Sequence, residues 1–161
     1  MQAKKSAIYG GSFDPFHVGH ATIIKEIFIQ YDIKELFIVP TYLNPFKNKF
    51  HRLPEHRYMY LKNRYHNLGN IKLIDYELKQ QRPVESIETI NYLYDKYNLE
   101  KPYFIIGADN LNGLEKWGDI KGIKKMVEFV VAKRDGIEIP PQYKVLDINC
   151  PISSTELRRI I

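Results

Sequence analysis

Apolar residues fall along the chain in two rhythms. Short unbroken runs alternate with stretches in which apolar positions recur every three or four residues. The first rhythm marks buried strands and the second amphipathic helices. Ala7, Ile8 and Tyr9 end a first short strand. Ile23, Ile24, Ile27, Phe28 and Tyr31 then share one helical face, so a helix starts near Val18 to His20. Residues 35–39 predict a second strand, buried on both faces and ended by Pro40. Residues 54–65 predict a helix with Pro54 in its first turn and Tyr58, Leu61 and Tyr65 facing inward. Residues 71–75 predict a third strand, and residues 76–84, YELKQQRPV, read as a polar segment. A helix opening near Ser86 carries Ile87, Ile90, Tyr94 and Tyr97 on one face. Strands follow at residues 103–106, 129–132 and 145–148, with short helical pieces at 111–117 and 120–126. Ser153 with Glu156 fits a capping box opening a last helix, whose buried stripe is Leu157, Ile160 and Ile161. Strand–helix–strand order at this spacing implies right-handed parallel crossovers, hence an α/β protein.

Composition narrows this little. A chain of 161 residues is long enough for one domain with a substantial core. Its 44% hydrophobic and 27% charged residues are ordinary for a globular protein. The net charge of +5 suits an anionic small molecule and equally a nucleic acid. No apolar run approaches a membrane span and no signal-peptide pattern precedes the first strand. Cys150 is the sole cysteine, so an internal disulfide is excluded, consistent with a reducing cytoplasm. No repeat, low-complexity tract or linker interrupts the pattern.

Candidate chemistry begins after the first strand. Gly10-Gly11-Ser12 predicts a sharp turn, continued by Asp14-Pro15. The helix behind it offers unpaired N–H groups and a partial positive charge, where phosphate is a natural ligand. His17 and His20 are three apart and share a face of its first turn, a cationic, donor-rich corner. Two other readings stay open: a cap with a packed ring, or half of a zinc site, for which no Cys/His cluster elsewhere offers further ligands. The segment 41–54 is a long loop with Lys47, Lys49, His51 and Arg52. Loops leaving the carboxyl ends of parallel strands line the site in such folds. Asp109 follows the strand at 103–106 and suits ribose hydroxyls, a helix N-cap, or both. Trp117 is either core or, with Gly118 after it, a ring with one face open. Lys133-Arg134-Asp135-Gly136 leaves a strand at the site edge. Arg158 lies one turn into the last helix and either reaches back to an anion or is plainly solvated.

Taken whole, GGSFDPFHVGH resembles the N-terminal motif of the nucleotidyltransferase superfamily, whose mark is an HxGH tetrad, here His17-Val18-Gly19-His20. With YFIIGADNLNGLEKW and ISSTELR it resembles the nicotinate-mononucleotide adenylyltransferases of NAD synthesis; VPTYLNPFK and DYELKQQRP fit less tightly. The resemblance covers nearly the whole chain. It implies a Rossmann-like doubly wound parallel sheet in a single domain spanning residues 1–161. It implies adenylyl transfer from ATP, with Mg2+, to nicotinate mononucleotide, giving the dinucleotide and pyrophosphate by direct attack at the α-phosphorus. Catalysis would then be positioning and charge stabilisation. The implied catalytic residues are His17, His20 and Arg158. Gly10, Gly11, Ser12 and Phe13 (backbone), Lys47, Gly107, Asp109, Arg134, Ser153 and Ser154 would bind ATP. Thr41, Ser86, Thr89 and Trp117 would hold the mononucleotide, with Trp117 on the pyridine ring. No residue is assigned as a metal ligand, no nucleic-acid or membrane partner is implied, and the oligomeric state stays open.

Two positions depart from that pattern. Glu85-Ser86 stands where the family usually has Tyr-Thr, and Gly118 where an aromatic is frequent. Both touch the nicotinate pocket. The alternatives are a phosphopantetheine adenylyltransferase of CoA synthesis, which usually has Thr in place of His17 and lacks GADNLNGLEKW, and a non-catalytic nucleotide- or RNA-binding module. The latter lacks aromatic platforms interleaved with Lys and Arg.

Overall fold

The computed structural model describes residues 4–43 and 52–148. They form strands β1 (Ser6–Gly11), β2 (Glu35–Pro40), β3 (Ile71–Leu73), β4 (Tyr103–Gly107), β5 (Glu128–Ala132) and β6 (Lys144–Leu146). The helices are α1 (Val18–Gln30), α2 (Pro54–Tyr65), α3 (Tyr76–Gln80), α4 (Ser86–Lys96) and α5 (Ile120–Met126), with a 3-10 helix over Ala108–Lys116.

The sheet is parallel throughout, in the order β3-β2-β1-β4-β5-β6. Alternation along each strand splits the core in two, because successive side chains leave opposite faces of a pleated strand. Ala7, Tyr9, Leu36, Ile38, Ile105, Val130 and Ala132 face one side, where α1 (Ile24, Ile27) and α2 (Leu61, Tyr65) pack. Ile8, Phe37, Val39, Phe104, Ile106, Phe129 and Val131 face the other, covered by α4 (Ile90, Leu93) and α5 (Ile123). Strands buried on both faces read as continuous apolar runs, which is why the sequence exposes them so plainly. The expected doubly wound α/β sheet is the architecture found.

Strand order reverses between β1 and β4. Chain leaving β1 passes to β2 on one side, whereas β4 lies on the other. The carboxyl ends of these two strands therefore open a crevice.

Local differences have physical causes. The polar segment 76–84 contains α3, closed by Gln81 in a left-handed conformation at φ 53. The signal of α3 was hidden because the one buried residue in that helix is Glu77. The third strand stops at Leu73, and the last runs Lys144–Leu146 instead of 145–148. On α2 the inward stripe is Pro54, Arg57, Leu61 and Tyr65; Arg57 takes the place expected for Tyr58. The expected closing helix with Ser153, Ser154 and Arg158, and the loop lysine Lys47, lie outside the described residues.

Candidate active site

Gly10 and Gly11 continue β1 instead of turning; the sharp turn comes at Phe13, whose φ is 49. Gly11 is needed for space: a Cβ there would stand 3.2 Å from the Phe13 ring. That ring is buried, edge-to-face with Tyr9 at 5.3 Å and with His20 at 5.0 Å. The side chain of Phe13 is thus core, and only its backbone is available to a phosphate.

His17 is the N-cap of α1. Its Nδ1 accepts from the Gly19 N–H at 2.9 Å, and His20 Nδ1 accepts from the His17 N–H at 3.1 Å. The two imidazoles form a reciprocal capping box, a role usually given to Ser or Thr with Glu. Their rings stack with centroids 3.9 Å apart. An Nδ1 that accepts carries no proton, so in each neutral ring the proton sits on Nε2. Burial, with the His17 charge secondary, pushes His20 down to about 3. The expectation of a cationic corner is corrected at His20. His20 is neutral at physiological pH in the unliganded protein, and it presents a fixed Nε2–H donor. The cap reading of His17 holds, with Nδ1 as the acceptor.

Two connections, the one after β1 and the one after β2, meet through Arg57. Its buried guanidinium donates to the carbonyls of Ser12 (2.6 Å), Thr41 (2.7 Å), Tyr42 (2.8 Å) and Arg52 (3.2 Å). Buried Asp14 accepts from the Arg52 N–H at 2.7 Å. Sequence reasoning missed Arg57; the available signal was an arginine four residues before Leu61 on the stripe of α2. The Thr41 N–H donates to the Gly11 carbonyl at 2.9 Å. Its hydroxyl is buried at the end of β2 and meets no hydrogen-bond partner among the described residues.

Beyond β4, the Asp109 carboxylate folds back over Gly107, where a Cβ would lie 2.6 Å from Oδ1. Oδ2 stands 3.7 Å from Arg134 Nη1, so two expected adenosine-side residues from neighbouring strands meet. Gly107, not Asp109, caps the 3-10 helix, which removes the N-cap reading of Asp109. The charge of Asp109 also reaches Tyr9, whose phenol is pushed up first by burial and then by that carboxylate. The β1 and β4 ends thus face one crevice.

Ser86 opens α4 behind Glu85. Thr89 is buried and donates to Glu77 Oε2 at 2.6 Å, so its hydroxyl is committed inside the protein. Trp117 is half-buried, edge-to-face with Phe104 (5.9 Å) and Phe129 (6.2 Å). The core reading of this tryptophan holds in part: it packs against two core rings, and the residue keeps exposed surface.

A strand, a buried aromatic turn and a histidine-capped helix thus meet at the switch point of a parallel sheet, the place where open α/β folds bind ligands. The cytidylyltransferase-like family model matches residues 8–160. The "Probable nicotinate-nucleotide adenylyltransferase" of Nitratiruptor sp. is 46% identical over 154 residues, spanning 96% of this chain and 87% of its own length. The chain belongs to this family, and within it to the nicotinate-nucleotide adenylyltransferases. A relative of the same printed name from Campylobacter jejuni is 43% identical over 157 residues, covering 98% of this chain and 87% of its own. A solved structure of Plasmodium falciparum nicotinic acid mononucleotide adenylyltransferase complexed with NaAD shares the fold, at a TM-score of 0.79 and 21% identity. It covers 98% of this chain and 83% of that one. Among the described residues no helix is long and apolar enough to cross a membrane.

Proposed function

We propose that the protein transfers the adenylyl group of ATP to nicotinate mononucleotide, releasing pyrophosphate and forming nicotinate adenine dinucleotide, the step of NAD synthesis its relatives are named for. The observation that carries this reading is the stacked pair of imidazoles, His17 and His20, that caps the start of α1. The mononucleotide phosphate attacks the α-phosphorus, an oxygen of the mononucleotide forms the new P–O bond, and the bond to the β-phosphate oxygen breaks. His17 and His20 hold the α-phosphate and stabilise the charge that grows on it and on departing pyrophosphate. Backbone N–H groups at Gly10, Gly11, Ser12 and Phe13 line the approach. Asp109 and Gly107 take the ribose, Arg134 borders the adenine, and Trp117 packs on the pyridine ring, with Thr41 and Ser86 beside it. Thr89 supports that side indirectly, through Glu77. Lys47, Ser153, Ser154 and Arg158 complete the triphosphate site in this proposal.

No group of three or more His, Cys, Asp or Glu side chains suited to a metal occurs among the described residues. The donor set fits Mg2+ arriving on the triphosphate, where phosphate oxygens and water supply most ligands. When bound, the ion offsets phosphate charge. The proposal places the reaction in the cytoplasm.

Pyrophosphate release from ATP, compared across acceptors, tests the assignment. Turnover is expected with nicotinate mononucleotide and not with phosphopantetheine. Release with phosphopantetheine alone, or with no acceptor, refutes it.

A further inference from the structure

The two departures from the family pattern, Glu85 and Gly118, meet in space. Glu85 is the N-cap residue of α4, yet its side chain does not cap that helix. Its carboxylate is turned across to Gly118 instead. A Cβ added at Gly118 would stand 2.8 Å from Glu85 Cδ and 3.1 Å from Oε1, with Oε2 closer still. Glycine at 118 and the carboxylate of Glu85 therefore share one volume, and a side chain at 118 would exclude the carboxylate. Gly118 directly follows Trp117, whose indole stands roughly perpendicular to the rings of Phe104 and Phe129. Glu85 directly precedes Ser86, the first residue of α4. No hydrogen bond or ion pair of the Glu85 side chain occurs among the described residues. The carboxylate thus brings a negative charge to the wall between two residues assigned to the pyridine side.

We propose that Glu85, seated on Gly118, determines pyridine selectivity: its charge disfavours a ring that bears a carboxylate relative to one that bears a carboxamide. The enzyme still accepts the nicotinate form, but its preference for it over the nicotinamide form is narrower than the binding surface without Glu85 would give. The physical basis is direct. Nicotinate brings a second anion toward Glu85, and like charges in proximity raise the free energy of the complex. Nicotinamide has no such charge, and its amide N–H groups are donors a carboxylate can accept. Glu85 is exposed, so water screens the effect and keeps it moderate. The inference rests on Trp117 receiving the pyridine ring.

The test compares kcat/KM for nicotinate and nicotinamide mononucleotides at saturating ATP. Glu85→Gln keeps the shape and removes the charge. Gly118→Ala keeps the charge and displaces the carboxylate; Gly118 has no positive φ that alanine would strain. Both variants are expected to raise the nicotinate-to-nicotinamide ratio by about three- to tenfold, chiefly through KM for the nicotinate form. The KM for ATP is expected to stay within twofold (roughly) of the parent. An unchanged or lowered ratio in Glu85→Gln overturns the inference. Trp117→Ala separates the two levels. If it raises KM for both mononucleotides and spares ATP while Glu85→Gln changes nothing, only the selectivity role fails. If Trp117→Ala affects ATP and mononucleotide equally, the pyridine pocket assignment fails and this inference with it.

Discussion

His20 sits among Phe13, Phe16 and His17, with ring centroids 5.0, 5.3 and 3.9 Å away. Desolvation holds it uncharged, so free enzyme offers a donor and not a cation. An arriving triphosphate supplies negative charge that favours the protonated ring, and the demand is greatest as pyrophosphate departs. A contact that strengthens in the transition state acts on turnover more than on binding. His20→Ala is therefore expected to lower kcat by about 10²–10³ while ATP affinity changes only severalfold. Steady-state rates and a direct ATP dissociation constant check this; an unaltered kcat ends the assignment. The spacing of the two histidines was legible in the sequence. The charge of His20 was not, because it depends on burial of a ring that stands 5.0 Å from that of Phe13.

At the scale of elements, two buried polar groups organise the loops and the helix pair. Arg57 gathers four carbonyls from the connections after β1 and β2. Removing it takes the donor from all four carbonyls, and a hydrogen bond to a charged group is worth about 1.5–3 kcal/mol. Arg57→Ala is expected to destabilise the fold by roughly 3–5 kcal/mol, not the full sum, because the loops relax toward water. Denaturant titration measures this, and a change below about 1 kcal/mol would show that the loops do not depend on it. Arg57→Lys should not rescue, since one ammonium cannot reproduce the planar fork.

Glu77 on α3 joins α4 through Thr89. Burial pushes its carboxyl up to about 7, the Thr89 hydrogen bond pulling the other way and Glu88 adding to the rise. Its folded pKa exceeds that of the unfolded chain, where a glutamate ionises near 4.3. The contribution to stability is complete below that unfolded value and is lost as pH rises through about 7. Melting temperature should fall between pH 5.5 and 8.5 (about), and Glu77→Gln should flatten that decline. Parallel profiles for parent and variant would exclude Glu77 as the source. The sequence concealed both groups because a charged residue on a helix normally marks its solvated face.

At the scale of the whole molecule, the parallel sheet sets β1 and β4 side by side and so brings His17, His20, Gly107 and Asp109 to one edge. In the proposed reaction the opposite end of the chain joins them, with Arg158 holding the phosphates that leave as His20 supports the one that stays. Residues acting on one charge distribution are not independent. The double variant His20→Ala with Arg158→Ala is expected to lose far less turnover than the product of the two single losses. Single-turnover rates for all four proteins check this, and strict multiplicativity would mean the termini do not share a triphosphate.

The sequence by itself determined the succession of strands and of the helices other than α3 within the described residues, the α/β class and the spacing of the histidine pair. Each is carried by residues close in the chain: unbroken apolar runs, a 3.6-residue stripe, two histidines one turn apart. Tertiary structure alone decided the neutral state of His20, the burial of Arg57 and Glu77, the pairing of Asp109 with Arg134, and the meeting of Glu85 with Gly118. Charge state and contact between distant segments depend on which surfaces are taken from water and what is brought against them, and that is settled only when the sheet closes and its loops pack.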